Sequence, residues 1–367
     1  MPSGQLAYMP EPGSVEIRSY ELPPVAEGAL LLSTVVAGVC GSDVHMFTGR
    51  HPLRSIVLGH ESLGRVIDPS TRPRDSAGVE LAVGDRVSVV YFAACRSCPA
   101  CARGDSQYCI RAYDHWMQSP DVAPHFVGTH GTHYYAGPNQ ALFRVPDNVP
   151  SLMAASANCA LAQVCAGIDR AAVRPGQHIV IQGAGGLGLY ATALAKERGA
   201  TVTVIDAVEK RLQTALAFGA DYAISMQEHT DVEARRRLVT DVSTDGADIV
   251  MELAGVPAAV PEGIGLLRTG GTFIEIGNIM PGVEFALDIG NLTRRAVSII
   301  PVIRYQPRHL QQALQFLSRN VGRLPLADLV DRTYPLEDIQ SALRDSQNKS
   351  INRAAIVFED LADIEGG

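Results

Sequence analysis

The sequence is short of positive charge. Its 367 residues hold 31 lysines and arginines against 39 aspartates and glutamates, which gives a formal net charge of -8. A nucleic-acid-binding domain normally carries a basic stripe. The one dense basic run is Arg235–Arg237, and we interpret it as a solvated helix face. We therefore expect no nucleic-acid partner.

The sequence also lacks the marks of export. Its first residues contain no basic segment followed by an apolar one, as a signal peptide would. We find no apolar run of the roughly 18 residues that a bilayer span needs, so we expect no membrane partner and a cytoplasmic location. Thiols stay reduced in that compartment, and clustered cysteines there indicate metal ligands before disulfides.

Four of the seven cysteines lie in one short stretch. Cys95, Cys98, Cys101 and Cys109 have the spacing C-x2-C-x2-C-x7-C. Four thiolates fill a tetrahedral zinc and leave no open position, which is typical of a structural site. An iron–sulfur cluster is the alternative, but the bacterial ferredoxin run ends C-x3-C-P, and here the last gap is longer and Ile110 follows Cys109.

Two further cysteines suggest a second, open metal site. Cys40, His60 and Cys159 lie far apart in the chain, each beside glycine or other small residues. Two thiolates and one imidazole leave a fourth zinc position for water or substrate. His60 alone is equally consistent with a buried structural histidine. Asp43 is a natural partner to orient a ligating imidazole, and Cys165 is left over as a small buried hydrophobe.

The chain divides into three segments by composition. Residues 1–155 show short β-rich runs punctuated by glycine and proline, with a metal-held lobe at about 93–112. Residues 156–300 alternate strands and helices, which indicates βαβ units and a parallel sheet. Residues 301–367 hold two helical segments and a last strand. Because the length exceeds what one hydrophobic core usually supports, we expect two domains.

A glycine-rich turn in the middle segment predicts a dinucleotide site. GAGGLG follows the strand HIVIQ and opens a helix, so that helix N–H groups can face a pyrophosphate. An ordinary βα turn is the alternative. Asp206 ends the next strand, where a carboxylate would bind ribose hydroxyls and repel a 2′-phosphate; this favours NAD over NADP. Lys210 and Arg211 could flank the ribose, or they could equally be solvated residues of the following helix. The predicted cofactor residues of the turn are Gly183, Gly185, Gly186, Leu187 and Gly188.

Together GHE at 59–61, the four-cysteine lobe, GAGGLG and the domain order resemble the zinc-dependent medium-chain dehydrogenase/reductases, the alcohol dehydrogenase superfamily. The resemblance covers nearly the whole chain. It implies an α/β fold: a GroES-like, partly β-barrel catalytic domain, split in sequence, and a Rossmann doubly wound parallel-sheet domain inserted between its halves.

The resemblance also implies residue roles. Cys40, His60 and Cys159 would bind the catalytic zinc, and Glu61 would lie beside it and could ligate during turnover. Ser42 and His45 match the proton-relay positions. Leu187 would back the nicotinamide ring, and Ile276–Asn278, which includes Gly277, and Ile299–Val302 would line its other side. The resemblance also implies that Arg353 contacts a cofactor phosphate.

Two departures from the family pattern bear on substrate and cofactor. Polyol-type members often carry glutamate where this chain has Cys159, which weakens a sorbitol-like assignment. Some alcohol dehydrogenases place a pyrophosphate-binding arginine where this chain has Gly41. Phe47, Tyr113, Trp116 and the histidine-bearing stretch 125–133 are expected to form the pocket wall, which suits a bulky secondary or cyclic alcohol better than ethanol.

We therefore predict an alcohol dehydrogenase that uses NAD and two zinc ions per chain to oxidise a secondary alcohol to a ketone. Zinc would stabilise the alkoxide, Ser42 would take the hydroxyl proton toward His45 through the cofactor ribose, and hydride would pass to the nicotinamide. The partners would be the alcohol and ketone, with assembly as a homodimer or homotetramer. A zinc-independent quinone or enone reductase of the same fold and a non-catalytic nucleotide-binding protein remain as alternatives.

Overall fold

The computed structural model of the protein describes residues 2–282, 284–348 and 350–360. These residues form two compact units. Unit 1 comprises the described residues of 2–162 and 304–360, and unit 2 comprises those of 163–303. The sequence placed the boundaries at 155/156 and 300/301. The first lies later in the structure because the segment that carries Cys159 packs within unit 1.

The strands, in chain order, are β1 (Ser3–Met9), β2 (Glu16–Glu21), β3 (Leu30–Gly38), β4 (Ile56–Val57), β5 (Leu63–Val66), β6 (Arg86–Val89), β7 (His133–Ala136), β8 (Leu142–Arg144), β9 (His178–Gln182), β10 (Thr201–Asp206), β11 (Tyr222–Ser225), β12 (Ala247–Glu252), β13 (Leu267–Glu275), β14 (Ser298–Pro301), β15 (Arg332–Tyr334) and β16 (Ala354–Val357). The α-helices are α1 (Gly41–Phe47), α2 (Pro99–Ala102), α3 (Ser151–Ala154), α4 (Ala162–Arg170), α5 (Gly186–Glu197), α6 (Glu209–Ala217), α7 (Val232–Val242), α8 (Ala259–Leu266), α9 (Ile289–Arg294), α10 (Pro307–Asn320) and α11 (Ile339–Gln347). Short 3₁₀ turns occupy Ser106–Tyr108, Ala327–Leu329 and Leu336–Asp338, and a π-helix occupies Ala157–Leu161.

Unit 1 is built on two sheets. β1 lies between β2 and β4 in a three-stranded antiparallel sheet. The larger sheet runs β15-β16-β3-β5-β6-β8, and β7 also pairs with β3. The apolar run of β3 is buried at nearly every position because strands pair with it on both edges and apolar side chains cover both faces.

The first helix of unit 1 is held by a hydrophobic cluster. Met46 and Phe47 of α1 pack with Trp116, with Ile339 and Leu343 of α11, and with their neighbours in this cluster. This packing fixes α1, which begins directly after Cys40. Phe47, expected in the pocket wall, is 5% exposed and belongs to this core.

Unit 2 has one six-stranded sheet, ordered β11-β10-β9-β12-β13-β14. All five pairings are parallel. In order of appearance this is 3-2-1-4-5-6, the doubly wound order, whose crevice lies where the strand order reverses, at the carboxyl ends of β9 and β12. The predicted alternation of strands and helices is present throughout this unit.

The basic run in unit 2 differs from its interpretation. Arg236 and Arg237 lie near Glu233 on an exposed face of α7, as expected. Arg235 is 2% exposed, and its guanidinium forms a bidentate pair with Glu262 of α8. The solvated-face interpretation is therefore wrong for Arg235, because helical spacing turns it toward the neighbouring helix.

One segment also corrects the expectation about apolar runs. Ser151–Arg170 is long and apolar enough, by length and composition, to cross a bilayer. In the structure it is three consecutive helical pieces, and 89% of the apolar window is buried inside the protein. Its composition is that of a core segment.

Glycine 188 sets how closely α5 approaches β9. A Cβ at this position would lie 1.9 Å from the carbonyl oxygen of Gly183, which no side chain can tolerate. Gly183 itself has φ +99°, and a Cβ at this position would lie 2.9 Å from the backbone of Ala254. By contrast, a Cβ at Gly185 would meet nothing within 4 Å. Side chains are therefore excluded by the backbone at Gly183 and Gly188, whereas the space beside Gly185 is open.

We expect Gly188→Ala to destabilise unit 2 by about 2 kcal/mol or more, because overpacking against fixed backbone forces α5 away from the sheet. Gly185→Ala is the matched control and should change stability by less than about 1 kcal/mol. Urea unfolding midpoints measure both. Equal midpoints for the two variants would contradict this account of the turn.

Candidate metal centres and nucleotide site

Three remote segments of unit 1 bring Cys40, His60 and Cys159 together. Cys40 stands at the N-cap of α1, His60 follows Gly59 after β4, and Cys159 lies in the π-helix Ala157–Leu161. With Glu61 they form a group whose potential ligand atoms all lie within 4.8 Å of one another. A π-helix of this kind often marks a functional site.

The distances within this group fit a tetrahedral zinc. The Sγ atoms of Cys40 and Cys159 are 3.9 Å apart, and Nε2 of His60 is 3.4 Å from Sγ of Cys159. Ordinary zinc–sulfur and zinc–nitrogen bond lengths with tetrahedral angles require separations of about 3.8 Å and about 3.6 Å. The residues present therefore fit a zinc ion that they would hold from one side.

A buried carboxylate organises the ligands. Asp43 is fully buried; its Oδ2 accepts the backbone N–H of Cys40 at 2.8 Å, and its Oδ1 lies 3.4 Å from Nδ1 of His60. A proton on Nδ1 facing Asp43 leaves the Nε2 lone pair free for a metal. Asp43 thus fixes the backbone of one candidate ligand and faces the ring nitrogen of another.

Asn158 is a supporting residue that the sequence reasoning missed. Its buried side chain donates to the carbonyl oxygens of His60 at 2.9 Å and Val89 at 2.7 Å. The backbone carbonyl oxygen of Asn158 accepts a hydrogen bond from the hydroxyl of Tyr305. Asn158 therefore ties the π-helix to the histidine segment. In the sequence, only the position of Asn158 next to Cys159 could have indicated this supporting role.

The two thiols of the group are electrostatically unequal. A hydrogen bond from the Cys159 thiol holds the pKa of Cys40 well below its usual value, even though burial opposes this. The same bond, together with burial, raises the pKa of Cys159. A cation bound by both sulfurs would displace the proton that remains on the pair.

Glu61 lies in the metal group and is paired with Arg353. Its side chain is fully buried, and Oε2 accepts a bond from the Arg353 guanidinium. Burial raises the pKa of Glu61 to about 7, against the opposing charge of Arg353. The sequence associated Arg353 with a cofactor phosphate; the structure places it on Glu61.

Ser42 and His45 both lie on α1. The Ser42 hydroxyl is 3.4 Å from Nε2 of His60, beside the ligand atoms. His45 is in the last turn and half-buried. Burial, and then the charge of Arg50, lowers the pKa of His45 below 6.5. Its imidazole is therefore neutral at pH 7 and can accept a proton.

Cys95, Cys98, Cys101 and Cys109 form the second group, with all Sγ atoms within 4.8 Å of one another. Backbone N–H groups of Cys95, Cys98 and Arg111 donate to sulfurs at 3.3–3.4 Å. Hydrogen bonds from the Ser97 N–H and hydroxyl lower the pKa of Cys95 to about 6. Donors aimed at sulfur stabilise thiolates, so this set fits a closed four-thiolate metal site.

The residues predicted to bind the nucleotide in the glycine turn and at the end of β10 lie at the carboxyl edge of the unit 2 sheet. Gly186 and Leu187 begin α5 just after Gly185, which leaves the helix N-terminus accessible. Asp206 ends β10, and its carboxylate accepts N–H groups of Ala184 at 2.7 Å and Val208 at 2.8 Å.

Two other predicted cofactor residues of unit 2 have different settings. Gly277 follows β13, and a Cβ there would lie 2.4 Å from Oε2 of Glu252 and 2.5 Å from the Gly255 nitrogen. Arg211 lies in the first turn of α6, half-buried.

Aromatic rings cover one side of His60. The His60 ring lies 5.3 Å from that of Tyr91 and 5.4 Å from that of Trp116, centroid to centroid, and Tyr113 stacks on Tyr91 at 6.4 Å. Trp116 is fixed by its indole N–H, which donates to the Val57 carbonyl at 2.8 Å. Tyr91 was not predicted because it follows β6 in what reads as plain strand sequence.

Comparisons with known proteins agree with this description for each of the two domains. Residues 26–147 match the alcohol dehydrogenase GroES-like domain, and residues 186–319 match the zinc-binding dehydrogenase family. The 5-exo-hydroxycamphor dehydrogenase of Pseudomonas putida is 31% identical over 94% of this chain and 95% of its own. The chain belongs to the zinc-dependent medium-chain dehydrogenase/reductase superfamily.

Two further relatives agree with this membership. The sorbitol dehydrogenase of Bacillus subtilis is 28% identical over 92% of each chain. A solved alcohol dehydrogenase from Thermotoga maritima, 28% identical, superposes with a TM-score of 0.91 over 98% of this chain and all of its own. The predicted family and fold class, a GroES-like domain with a Rossmann domain, are confirmed.

We expect Cys98→Ser to lower the melting temperature by several degrees, because a closed thiolate site contributes folding free energy to a lobe with little core. Activity per folded molecule should stay near normal at low temperature. Cys165→Ala is the control, since Cys165 lies outside both groups. An unchanged melting temperature and metal content for Cys98→Ser would show that metal does not hold the lobe.

Proposed function

We propose that this family member is an alcohol dehydrogenase that uses zinc and NAD to oxidise a bulky secondary alcohol to a ketone. The observation that carries the proposal is the set Cys40, His60 and Cys159, with the Ser42 hydroxyl 3.4 Å from the ligating nitrogen. Three ligands and an adjacent proton acceptor are what activation of an alcohol hydroxyl requires.

When bound, zinc would polarise the alcohol oxygen and NAD would accept the hydride. The chain's own residues supply the rest. Asp43 keeps the lone pair of His60 directed at the metal. Ser42 takes the hydroxyl proton as it gives up its own. The neutral imidazole of His45, half-buried on the same helix, accepts the proton that leaves Ser42, and the resulting imidazolium releases it to solvent.

The cofactor proposal rests on Asp206. Its carboxylate ends β10 next to the glycine turn and is held by two backbone N–H groups. A carboxylate fixed there would bind the two ribose hydroxyls of NAD and repel the 2′-phosphate of NADP. Gly185, with open space where a side chain would stand, would let the pyrophosphate approach the start of α5.

The substrate proposal rests on the aromatic rings beside His60. Tyr91 and Tyr113, whose ring planes are 13° apart and which are both partly exposed, offer an apolar surface that suits a cyclic or bulky carbon skeleton. Trp116, also expected in the pocket wall, is buried in the same hydrophobic cluster as Phe47. The relative named for 5-exo-hydroxycamphor, a cyclic secondary alcohol, supports this choice. A polyol is the second candidate, since another relative is a sorbitol dehydrogenase, but Cys159 stands where polyol-type enzymes often carry glutamate.

The two other functional classes fit these residues less well. A zinc-independent enone reductase would have no use for the converging Cys40, His60 and Cys159. A non-catalytic nucleotide-binding protein would have no use for Ser42 beside them. Measured zinc and hydride transfer distinguish all three classes.

Assembly as a homodimer or homotetramer is part of the proposal. β14 is an edge strand of the unit 2 sheet, and Ile299 on it and Ile303 just beyond it are exposed. Unpaired strand edges with apolar side chains invite pairing with a second copy. The seven cysteines, all among the described residues, form no disulfide, which suits the proposed cytoplasmic location. Light scattering reports the oligomeric state.

A substrate panel tests the function. Zinc-loaded protein with NAD should oxidise 5-exo-hydroxycamphor and other cyclic secondary alcohols with kcat/KM at least about tenfold above those for ethanol and sorbitol, since pocket fit of this kind is worth 1–3 kcal/mol. NADH formation measures each rate. Preference for sorbitol would favour the polyol reading, and hydride transfer only to enones from a zinc-free protein would favour the reductase.

We expect His45→Gln to slow alcohol oxidation about tenfold or more near pH 7, with zinc content and NAD affinity unchanged. Because the pKa of His45 lies below 6.5, wild-type activity should fall as pH drops through that pKa, and the variant should lack this step. At high pH the deficit should shrink, since hydroxide accepts the proton.

His51→Gln is the matched control for the relay. His51 adjoins His45 in the fold, but its Nδ1 already accepts the Leu53 N–H at 3.1 Å. It should retain the wild-type pH profile. A wild-type profile for His45→Gln, or loss of its zinc, would refute the relay assignment.

Asp206→Ala should raise the ratio of kcat/KM with NADP to that with NAD by about tenfold or more, because it removes a carboxylate that repels the 2′-phosphate. Steady-state kinetics with both cofactors measure this ratio. Asp221→Asn, which alters an exposed carboxylate just before β11 that is paired with Lys196, should leave the ratio unchanged. A wild-type preference for NADP would overturn the assignment.

A further inference from the structure

A cavity of about 320 Å³ lies in unit 1 between the four-cysteine lobe and the larger sheet. Ala94, Arg96, Cys101 and Ser106 of the lobe line one side. The other side is lined by Arg72, Ser76, the segment 139–141 and Pro307. The cavity thus touches the lobe next to a metal-binding sulfur, yet it is no part of the group that holds Cys40 and His60.

Arg72 presents a half-buried guanidinium to this cavity. Its Nη1 donates to the carbonyl of Gln140 at 2.9 Å, and its Nη2 donates to the hydroxyl of Ser76 at 3.2 Å. Both partners are neutral, so the guanidinium is positioned without being neutralised. Burial, and then repulsion from Arg96, lowers the pKa of Arg72.

Arg96 faces the same cavity from the lobe. It lies in the first C-x2-C turn with φ 59°, a left-handed conformation that is uncommon outside glycine. Among the residues that the structure describes, no hydrogen bond or ion pair is made by its side chain. The other lobe arginines differ, because Arg103 lies 3.7 Å from Asp105 and Arg111 lies 2.7 Å from Asp114.

No acidic side chain lines the cavity within the described part of the chain. The nearest carboxylate in sequence to Arg72 is Asp75, which accepts backbone N–H groups of Ala77, Val79 and Arg144 instead. Two guanidiniums, two serine hydroxyls and the Asn139 amide therefore surround an opening whose described lining contains no carboxylate, with Cys101 as the one thiol among the lining residues. Guanidiniums and hydroxyls are the donors that tetrahedral oxyanions prefer.

We propose that this cavity binds a phosphate-type dianion, which joins the four-cysteine lobe through Arg96 to the sheet through Arg72. An anion held there relieves the repulsion between the two arginines. It also braces the lobe beside Cys101, so that binding slows loss of the metal from the four-cysteine group. The proposal is independent of the reaction proposed above.

Inorganic phosphate is the first probe, with zinc-loaded full-length protein in saturating NAD, so that the glycine turn is filled. Ionic strength is held constant with sodium chloride. We expect a saturable rise in melting temperature with a millimolar midpoint, and zinc release to a chelator slowed about threefold or more at saturation. The same measurements with a phosphomonoester show whether the site prefers the free ion or an organic phosphate. Binding of either one supports the site.

Arg96→Gln tests the assignment with little risk to folding, because Arg96 is exposed. It should weaken phosphate binding at least tenfold, and Arg96→Lys should restore part of the affinity. Arg103→Gln, in the same lobe but outside the cavity, is the control and should respond like wild type. An equal response in Arg96→Gln and wild type, or a non-saturating response that chloride reproduces, would overturn the proposal.

Discussion

The candidate metal centre depends on one buried carboxylate. Asp43 has no exposed surface, and it bonds the backbone of Cys40 while facing the ring of His60. A buried charge is costly unless its partners are fixed. Here the partners are two of the three proposed ligands, so the cost of burying Asp43 is offset only when the ligands stand in this arrangement. The hydrophobic cluster around α1 keeps Asp43 in place.

The third ligand comes to the site through a local irregularity. The π-helix Ala157–Leu161 interrupts the helical segment, and Asn158 within it anchors to the carbonyls of His60 and Val89. In a regular α-helix the side chains of Asn158 and Cys159 would point in directions different from those they have in the π-helix. The metal group is therefore assembled from a capped helix, a glycine turn and a π-helix, each held by hydrogen bonds to buried backbone.

Sequence patterns predicted the parts of this protein whose chemistry is local. The spacing of Cys95–Cys109 and the glycines of 183–188 carry their geometry within a few residues, and the alternation of strands and helices in unit 2 follows from composition. Contacts between distant segments were not predictable. The pairing of Arg353 with Glu61, the bonds of Asn158 and the burial of Arg235 against Glu262 all depend on tertiary packing. Phe47 was expected in the pocket because it is aromatic. It lies in the core because its position on α1 faces the hydrophobic cluster.

The central claim is that one chain holds two chemically different zinc sites, one closed by four thiolates and one left open. The most direct measurement is elemental analysis of the purified protein combined with the kinetics of metal release to a chelator. The account predicts two zinc ions per chain, with the ion of the Cys40, His60 and Cys159 group leaving first and activity lost in step with it. Iron in place of zinc, a single zinc at full occupancy, or two ions released at one rate would contradict it.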